Sequence, residues 1–136
     1  MVSAMNKVAA PARHILVVDD ENHIRRLVEV NLSRGGYRVT QAFDGRDALE
    51  KMEIERPDMV VLDWMMPRMD GFALLVHLKK DPKTADIPIL MLTAKAQDAD
   101  IFAGWASGCD AYLTKPFNPA ELMTFVRRTF ESYQEP

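Results

Sequence analysis

Short, nearly continuous apolar runs alternate along this chain with stretches whose apolar residues recur every three or four positions. His14 to Val18 (HILVV) is the first such run, the pattern of a strand covered on both faces of a parallel sheet. After the acidic Asp19-Asp20-Glu21, Ile24, Leu27, Val28 and Leu32 take helical spacing, and Gly35-Gly36 supplies a helix stop. Tyr37 to Ala42 predicts a second strand, and Asp44-Gly45 opens a helix carrying Ala48, Leu49 and Met52 that must finish before Pro57. Met59 to Leu62 is the third strand, delivering Asp63 at its C-terminal end. The turn-rich Met66 to Gly71 leads into a helix ending near Lys80. Pro88 to Leu92 predicts a fourth strand with Thr93 at its end, Asp98 to Ser107 a fourth helix closed by Gly108, and Ala111 to Thr114 a fifth strand. Asn118-Pro119-Ala120-Glu121 combines a cap residue, a proline at the first helical position and the glutamate of a capping box. Leu122, Phe125, Val126 and Phe130 then follow at helical spacing.

Strands alternating with helices demand crossover connections, hence an α/β fold with a five-stranded parallel sheet flanked by five helices. Sites in such folds form beyond the carboxyl ends of the strands. Asp19, Asp20, Asp63, Thr93 and Lys115 occupy those ends. The 136 residues suit one domain, read as a flexible leader 1–12, a domain 13–133 and a tail 134–136. A net charge of −3 gives no reason to expect nucleic-acid binding. The single Cys109 precludes an internal disulfide and suits a reducing compartment. No apolar run approaches the ~18 residues a bilayer requires, and Met1 to Ala12 lacks the apolar core of a signal peptide, so a cytoplasmic location is expected.

Three carboxylates, a hydroxyl and a lysine at strand ends are expected to share one cleft. Crowded carboxylates repel and are tolerated around a hard cation; an all-oxygen set suits Mg²⁺, with Mn²⁺ as a substitute. A carboxylate beside that ion could attack phosphorus, with Lys115 and Thr93 neutralising the transferring group. Singly, each piece has a plainer reading: Asp19-Asp20-Glu21 as an acidic helix start, Asp63 as a loop carboxylate, Lys115 as a solvated charge. Their joint occurrence at the ends of four strands favours the site.

Ile15-Leu-Val-Val-Asp-Asp-Glu21, Asp63-Trp-Met-Met-Pro-Arg-Met-Asp-Gly71, Leu92-Thr-Ala94 and Tyr112-Leu-Thr-Lys-Pro-Phe117 together resemble the receiver domain of two-component response regulators, across roughly Arg13 to Glu131. The resemblance implies a doubly wound, flavodoxin-like sheet in the order 2-1-3-4-5. It implies Asp63 as phosphoacceptor, Asp20 as a direct Mg²⁺ ligand, Asp19 acting through water, and the backbone carbonyl of Met65 as a third protein ligand. Thr93 is then the hydroxyl that meets the phosphoryl group and Lys115 its ammonium partner. Pro116 would follow a cis peptide, and Tyr112 would be the switching aromatic. The phosphodonor implied is a histidine kinase or histidine phosphotransfer protein. The chain would be no enzyme beyond its own phosphorylation and dephosphorylation. Its readout would be the surface of the fourth predicted helix, the fifth strand and the last helix, toward an effector or a second copy of the chain.

In winged-helix members of that family charged pairs occupy this surface; here Ile101, Ala111 and Phe125 stand in their place, a candidate apolar output face if exposed. Met52, Met91 and Met123 read as core fillers, and Cys109 as a small buried residue. Gly71 reads as a backbone requirement, and Trp64 equally as a gate or a rim residue. His14, His23 and His77 are unclustered and suggest no metal site. Lys95 and Met65 flank the acceptor and could tune water access. An aspartyl-phosphate enzyme of the haloacid dehalogenase type would need an aspartate where Met65 stands. A receiver-like interaction module working without phosphorylation is the remaining alternative.

Overall fold

The computed structural model describes residues 12–64, 71–93 and 108–134. The expected fourth helix at 98–107, Met65, Lys95 and Ile101 lie outside these residues.

Five strands, β1 (His14–Val18), β2 (Arg38–Ala42), β3 (Met59–Asp63), β4 (Ile89–Thr93) and β5 (Ala111–Thr114), form one parallel sheet in the order β2-β1-β3-β4-β5. The described helices are α1 (Asn22–Arg34), α2 (Gly45–Ile54), α3 (Gly71–Lys80) and α4 (Pro119–Gln134). The parallel sheet is the one expected of the alternating pattern, and its doubly wound, flavodoxin-like strand order is the one the resemblance implied. Among the described residues no helix is long and apolar enough to cross a membrane.

Successive strand residues face opposite sides of a sheet, so continuous apolar runs require cover on both. One core gathers Leu16, Val18, Val60, Leu62, Ile89 and Met91 with Ala48 of α2 and Leu74, Leu75 and Leu78 of α3. The other gathers Ile15, Val17, Met59, Val61, Leu90 and Leu92 with Val28 and Leu32 of α1 and Leu122, Val126 and Phe130 of α4. Met91 is fully buried, and Met52 and Met123 pack against these cores, as their spacing suggested.

Two strands begin one residue later than their sequence pattern suggests, for local reasons. The Tyr37 N–H is committed to the Leu32 carbonyl at the end of α1, where Gly36 takes φ +93°. Pro88 has no N–H for the ladder, although its carbonyl still accepts from Val60. The last helix reaches Gln134, one residue into the expected tail.

At the start of α4, Asn118 Oδ1 accepts from Glu121 N–H at 2.8 Å and Glu121 Oε1 accepts from Asn118 N–H at 3.1 Å, a complete capping box. Asn118→Ala is expected to cost about 1 kcal/mol, read as a lower urea midpoint at unchanged slope.

Cys109 is buried, and burial pushes its thiol up to about 11, the environment of an inert packing residue. Trp64 is no rim residue: it is buried, with its ring 5.1 Å from Phe72 and 6.3 Å from Tyr112 between centroids. Following Asp63 directly, it alternates back into the first core.

Candidate functional site

Sheet register brings the chemistry together. Val18 pairs with Leu62, so the next residues along each strand, Asp19 and Asp63, emerge side by side. Thr93 pairs with Thr114, so Lys115 leaves β5 level with the end of β4, its N–H donating to the Thr93 carbonyl at 2.6 Å. The Lys115–Pro116 peptide is cis. Lys115 Nζ lies 3.1 Å from Asp19 Oδ2 and 3.1 Å from Asp63 Oδ1, bridging residues 96 and 52 positions away in sequence.

Asp19 is fully buried and Asp63 nearly so, whereas Asp20 is exposed. One carboxylate oxygen from each of Asp19, Asp20 and Asp63 falls within 4.8 Å of the others. The electrostatics follow. Burial, then the neighbouring Asp19 charge, push the Asp63 carboxyl up to about 6, although Lys115 offsets part of that rise. Burial likewise raises Asp19, against the Glu21 N–H bond and Lys115, which lower it. Burial opposes the Lys115 charge, but the Asp19 and Asp63 carboxylates outweigh it and hold the ammonium above its ordinary value. Three acids facing one ammonium leave the cluster short of positive charge.

The backbone beneath Asp63 is tightly fixed. Trp64 N–H donates to the Leu92 carbonyl at 2.8 Å, and Gly71 N–H donates to the Trp64 carbonyl at 2.9 Å. A Cβ built on Gly71 would sit 1.8 Å from the Asp63 carbonyl oxygen, so the start of α3 lies directly against the Asp63 main chain. The backbone requirement suggested for Gly71 is thus one of close approach. Sequence reasoning missed Arg25, whose guanidinium donates to the Asp19 carbonyl at 2.7 Å. Its only signal was an arginine beside the apolar stripe of α1.

Thr93 is buried at the end of β4, and Tyr112 is half-buried against the first core. Of the apolar face expected around Ile101, Ala111 and Phe125, the last two lie among the described residues. Ala111 is buried in the second core and Phe125 is half-buried against it. Beta-strand alternation turns Ala111 inward, and Phe125 sits one position from the buried Val126 on α4. What opens to solvent there is a pocket of about 270 Å³ lined by Ala111, Tyr112, Phe125 and Arg128 among others. His14 is buried with Nε2 2.6 Å from Thr40 Oγ1, a packing arrangement rather than a metal ligand's.

The family model for the response regulator receiver domain matches residues 15–127. The chain is 45% identical over 124 residues to the probable transcriptional regulator ycf27 of Cyanophora paradoxa, covering 91% of this chain and 51% of that protein. It is 46% identical over 113 residues to the DNA-binding dual master transcriptional regulator RpaA of Synechocystis, covering 83% of this chain and 47% of the relative. It thus spans about half the length of these curated relatives. The solved chemotaxis protein CheY4 of Vibrio cholerae superposes with a TM-score of 0.83 at 36% identity, covering 87% of this chain and 98% of that one.

Proposed function

We propose, from the premise that this chain belongs to the response regulator receiver domain family of two-component systems, that it is a phosphorylation switch whose acceptor is Asp63. The observation that carries the reading is the Lys115 ammonium shared between Asp19 and Asp63 at 3.1 Å each. One Asp63 oxygen is thereby engaged, leaving Oδ2 to attack phosphorus. The new Oδ2–P bond forms as the bond from phosphorus to the donor's leaving group breaks, giving an aspartyl phosphate. Lys115 then serves the added negative charge, and the Thr93 hydroxyl donates to a phosphoryl oxygen.

The donor set fits a divalent cation: oxygen ligands alone, and an acidic cluster undersupplied with positive charge. Asp20, Asp63 and the Met65 carbonyl would hold Mg²⁺, or Mn²⁺ in its place, with Asp19 acting through water. When bound, the cation would screen the carboxylates and the oxygens of the transferring group. The other side of the switch is Tyr112: inward movement of Thr93 would free space for this ring and reshape the surface beside β5. The phosphodonor in this reading is a histidine kinase or histidine phosphotransfer protein in the cytoplasm. The readout is a partner, or a second copy of the chain, at that surface. RpaA is named as DNA-binding and transcriptional; with a net charge of −3 this segment is not read as binding nucleic acid itself, so an output of that kind would be relayed through the switch surface.

Incubation with acetyl phosphate and Mg²⁺ should add the mass of one phosphoryl group, lost with chelator and in Asp63→Asn. A module working without phosphorylation would bind Mg²⁺ yet keep its mass unchanged. The intact acidic pair and Lys115 speak against that alternative.

A further inference from the structure

We infer that Arg25 is a positioning residue for the acidic pair, holding the peptide between Asp19 and Asp20 so that Asp20 faces the cation. This rests on the reading of the cluster as a Mg²⁺-dependent phosphoacceptor site.

Arg25 leaves the first turn of α1 half-buried, and its guanidinium serves three acceptors at once. Nη1 donates to the Asp19 carbonyl at 2.7 Å, Nε to Gln41 Oε1 at 3.1 Å, and Nη2 to Asn22 Oδ1 at 2.9 Å. Gln41 is itself held, donating through Nε2 to Glu29 Oε1 at 2.8 Å. The fork is therefore oriented from β2 on one side and α1 on the other before it reaches Asp19. A planar guanidinium donates from three separate nitrogens and so spans such a set, whereas an ammonium donates from a single point.

The carbonyl it grips belongs to the Asp19–Asp20 peptide, which is planar, so fixing that oxygen fixes the departure of the chain into Asp20. Every other end of Asp19 is already tied. Its N–H donates to the Ala42 carbonyl at 3.1 Å, Oδ1 accepts from Glu21 N–H at 2.9 Å, and Oδ2 accepts from Lys115 at 3.1 Å. Asp20 is exposed, so its carboxylate takes its aim chiefly from this backbone.

Charge and geometry predict opposite signs here. Deleting a cation near three acids strengthens Mg²⁺ binding through Coulomb effects alone. Releasing the peptide that aims a ligand weakens it.

The test is calorimetric titration of the full chain with Mg²⁺, for wild type, Arg25→Ala, Arg25→Lys and Arg26→Ala, alongside thermal melts in chelator. Arg25→Ala is expected to bind Mg²⁺ about tenfold more weakly, the scale on which groups behind a metal ligand act. Arg25→Lys should also weaken binding, because one ammonium does not span Asp19, Gln41 and Asn22. Arg26→Ala, an exposed neighbour of equal charge, should bind as wild type or slightly tighter. A purely structural Arg25 would lower the melting temperature without changing the affinity of the folded protein, which would overturn the inference. So would Arg25→Ala binding as tightly as wild type, or Arg25→Lys matching wild type, which would assign the effect to charge. Should Arg25→Ala not fold, Gln41→Ala removes the brace while keeping the charge and must show the same loss in smaller measure. Failure of wild type to bind Mg²⁺ or accept phosphate sinks the functional reading itself; a normal wild type beside an unaffected variant sinks only the role of Arg25.

Discussion

Gly71→Ala is expected to destabilise the protein by about 2 kcal/mol and to slow phosphorylation from acetyl phosphate. On helix propensity alone the substitution should help, since alanine is favoured over glycine inside a helix by up to about 1 kcal/mol. The neighbours decide otherwise. The new methyl group would lie 1.8 Å from the Asp63 carbonyl oxygen, 2.7 Å from its carbonyl carbon and 2.9 Å from Trp64 Cα. All three are main-chain atoms, with no flexible side chain to swing aside. Moving α3 outward would stretch the bond from Gly71 N–H to the Trp64 carbonyl, and moving β3 would shift Asp63. Gly36→Ala is the natural comparison. It also strains the chain, through φ +93°, but nothing lies within 4 Å of its Cβ, so stability should fall while phosphorylation is untouched. Urea unfolding and acetyl phosphate kinetics on both variants check this. A Gly71→Ala protein more stable than wild type would show that the helix rides outward at no cost.

The second large effect concerns pH. With chelator present, Asp63→Asn is expected to be more stable than wild type at pH 8 and to lose that advantage progressively as the pH falls from about 6 to below 3.8. Burial first, and the Asp19 charge second, push the Asp63 carboxyl up to about 6 from 3.8. A folded-state value above the unfolded one means that the native protein holds its proton more tightly. The stability this confers is fully present below the unfolded value and is lost as pH rises through about 6. A shift of roughly two units sets a ceiling near 3 kcal/mol. Asp19 is raised as well and acts in the same direction, while Lys115, also raised, stays charged throughout this window. Glu55, lowered by its bond to Arg38, works oppositely on wild type and variant alike, so the difference between the two isolates position 63. Saturating Mg²⁺ should narrow or reverse the gap by stabilising wild type. An advantage independent of pH would contradict this electrostatic account.

Much of this molecule is legible from residue order because the signals are local. The runs at 14–18 and 59–62 could be read as buried strands since sheet cover on both faces demands unbroken apolar sequence. The Asn118–Glu121 box and the stop at Gly35-Gly36 are set by neighbours within one turn. Asp19, Asp63 and Lys115 could be expected to meet because parallel strands bring their carboxyl ends to one edge. Other features depend on which element lies across a gap of several ångströms. Arg25 finds two of its three partners on β2 and just beyond β1, and nothing in the α1 pattern specifies those two. Lys79, an ordinary helix-end lysine in sequence, instead turns inward to donate to the Ala85 and Ile87 carbonyls and to Asp110. The inward turn of Ala111 could be inferred from strand alternation only once the face covered by α4 was known.

The sheet also acts as a partition wall between two oily compartments, and β5 is where the wall ends. Tyr112 belongs to the compartment under α2 and α3, whereas Ala111 and Phe125 belong to the one under α1 and α4. All three nonetheless line the same opening to solvent. A disturbance arising on either side of the wall, from the Trp64–Phe72 ring pair that follows Asp63 or from the α4 packing, therefore surfaces at one seam.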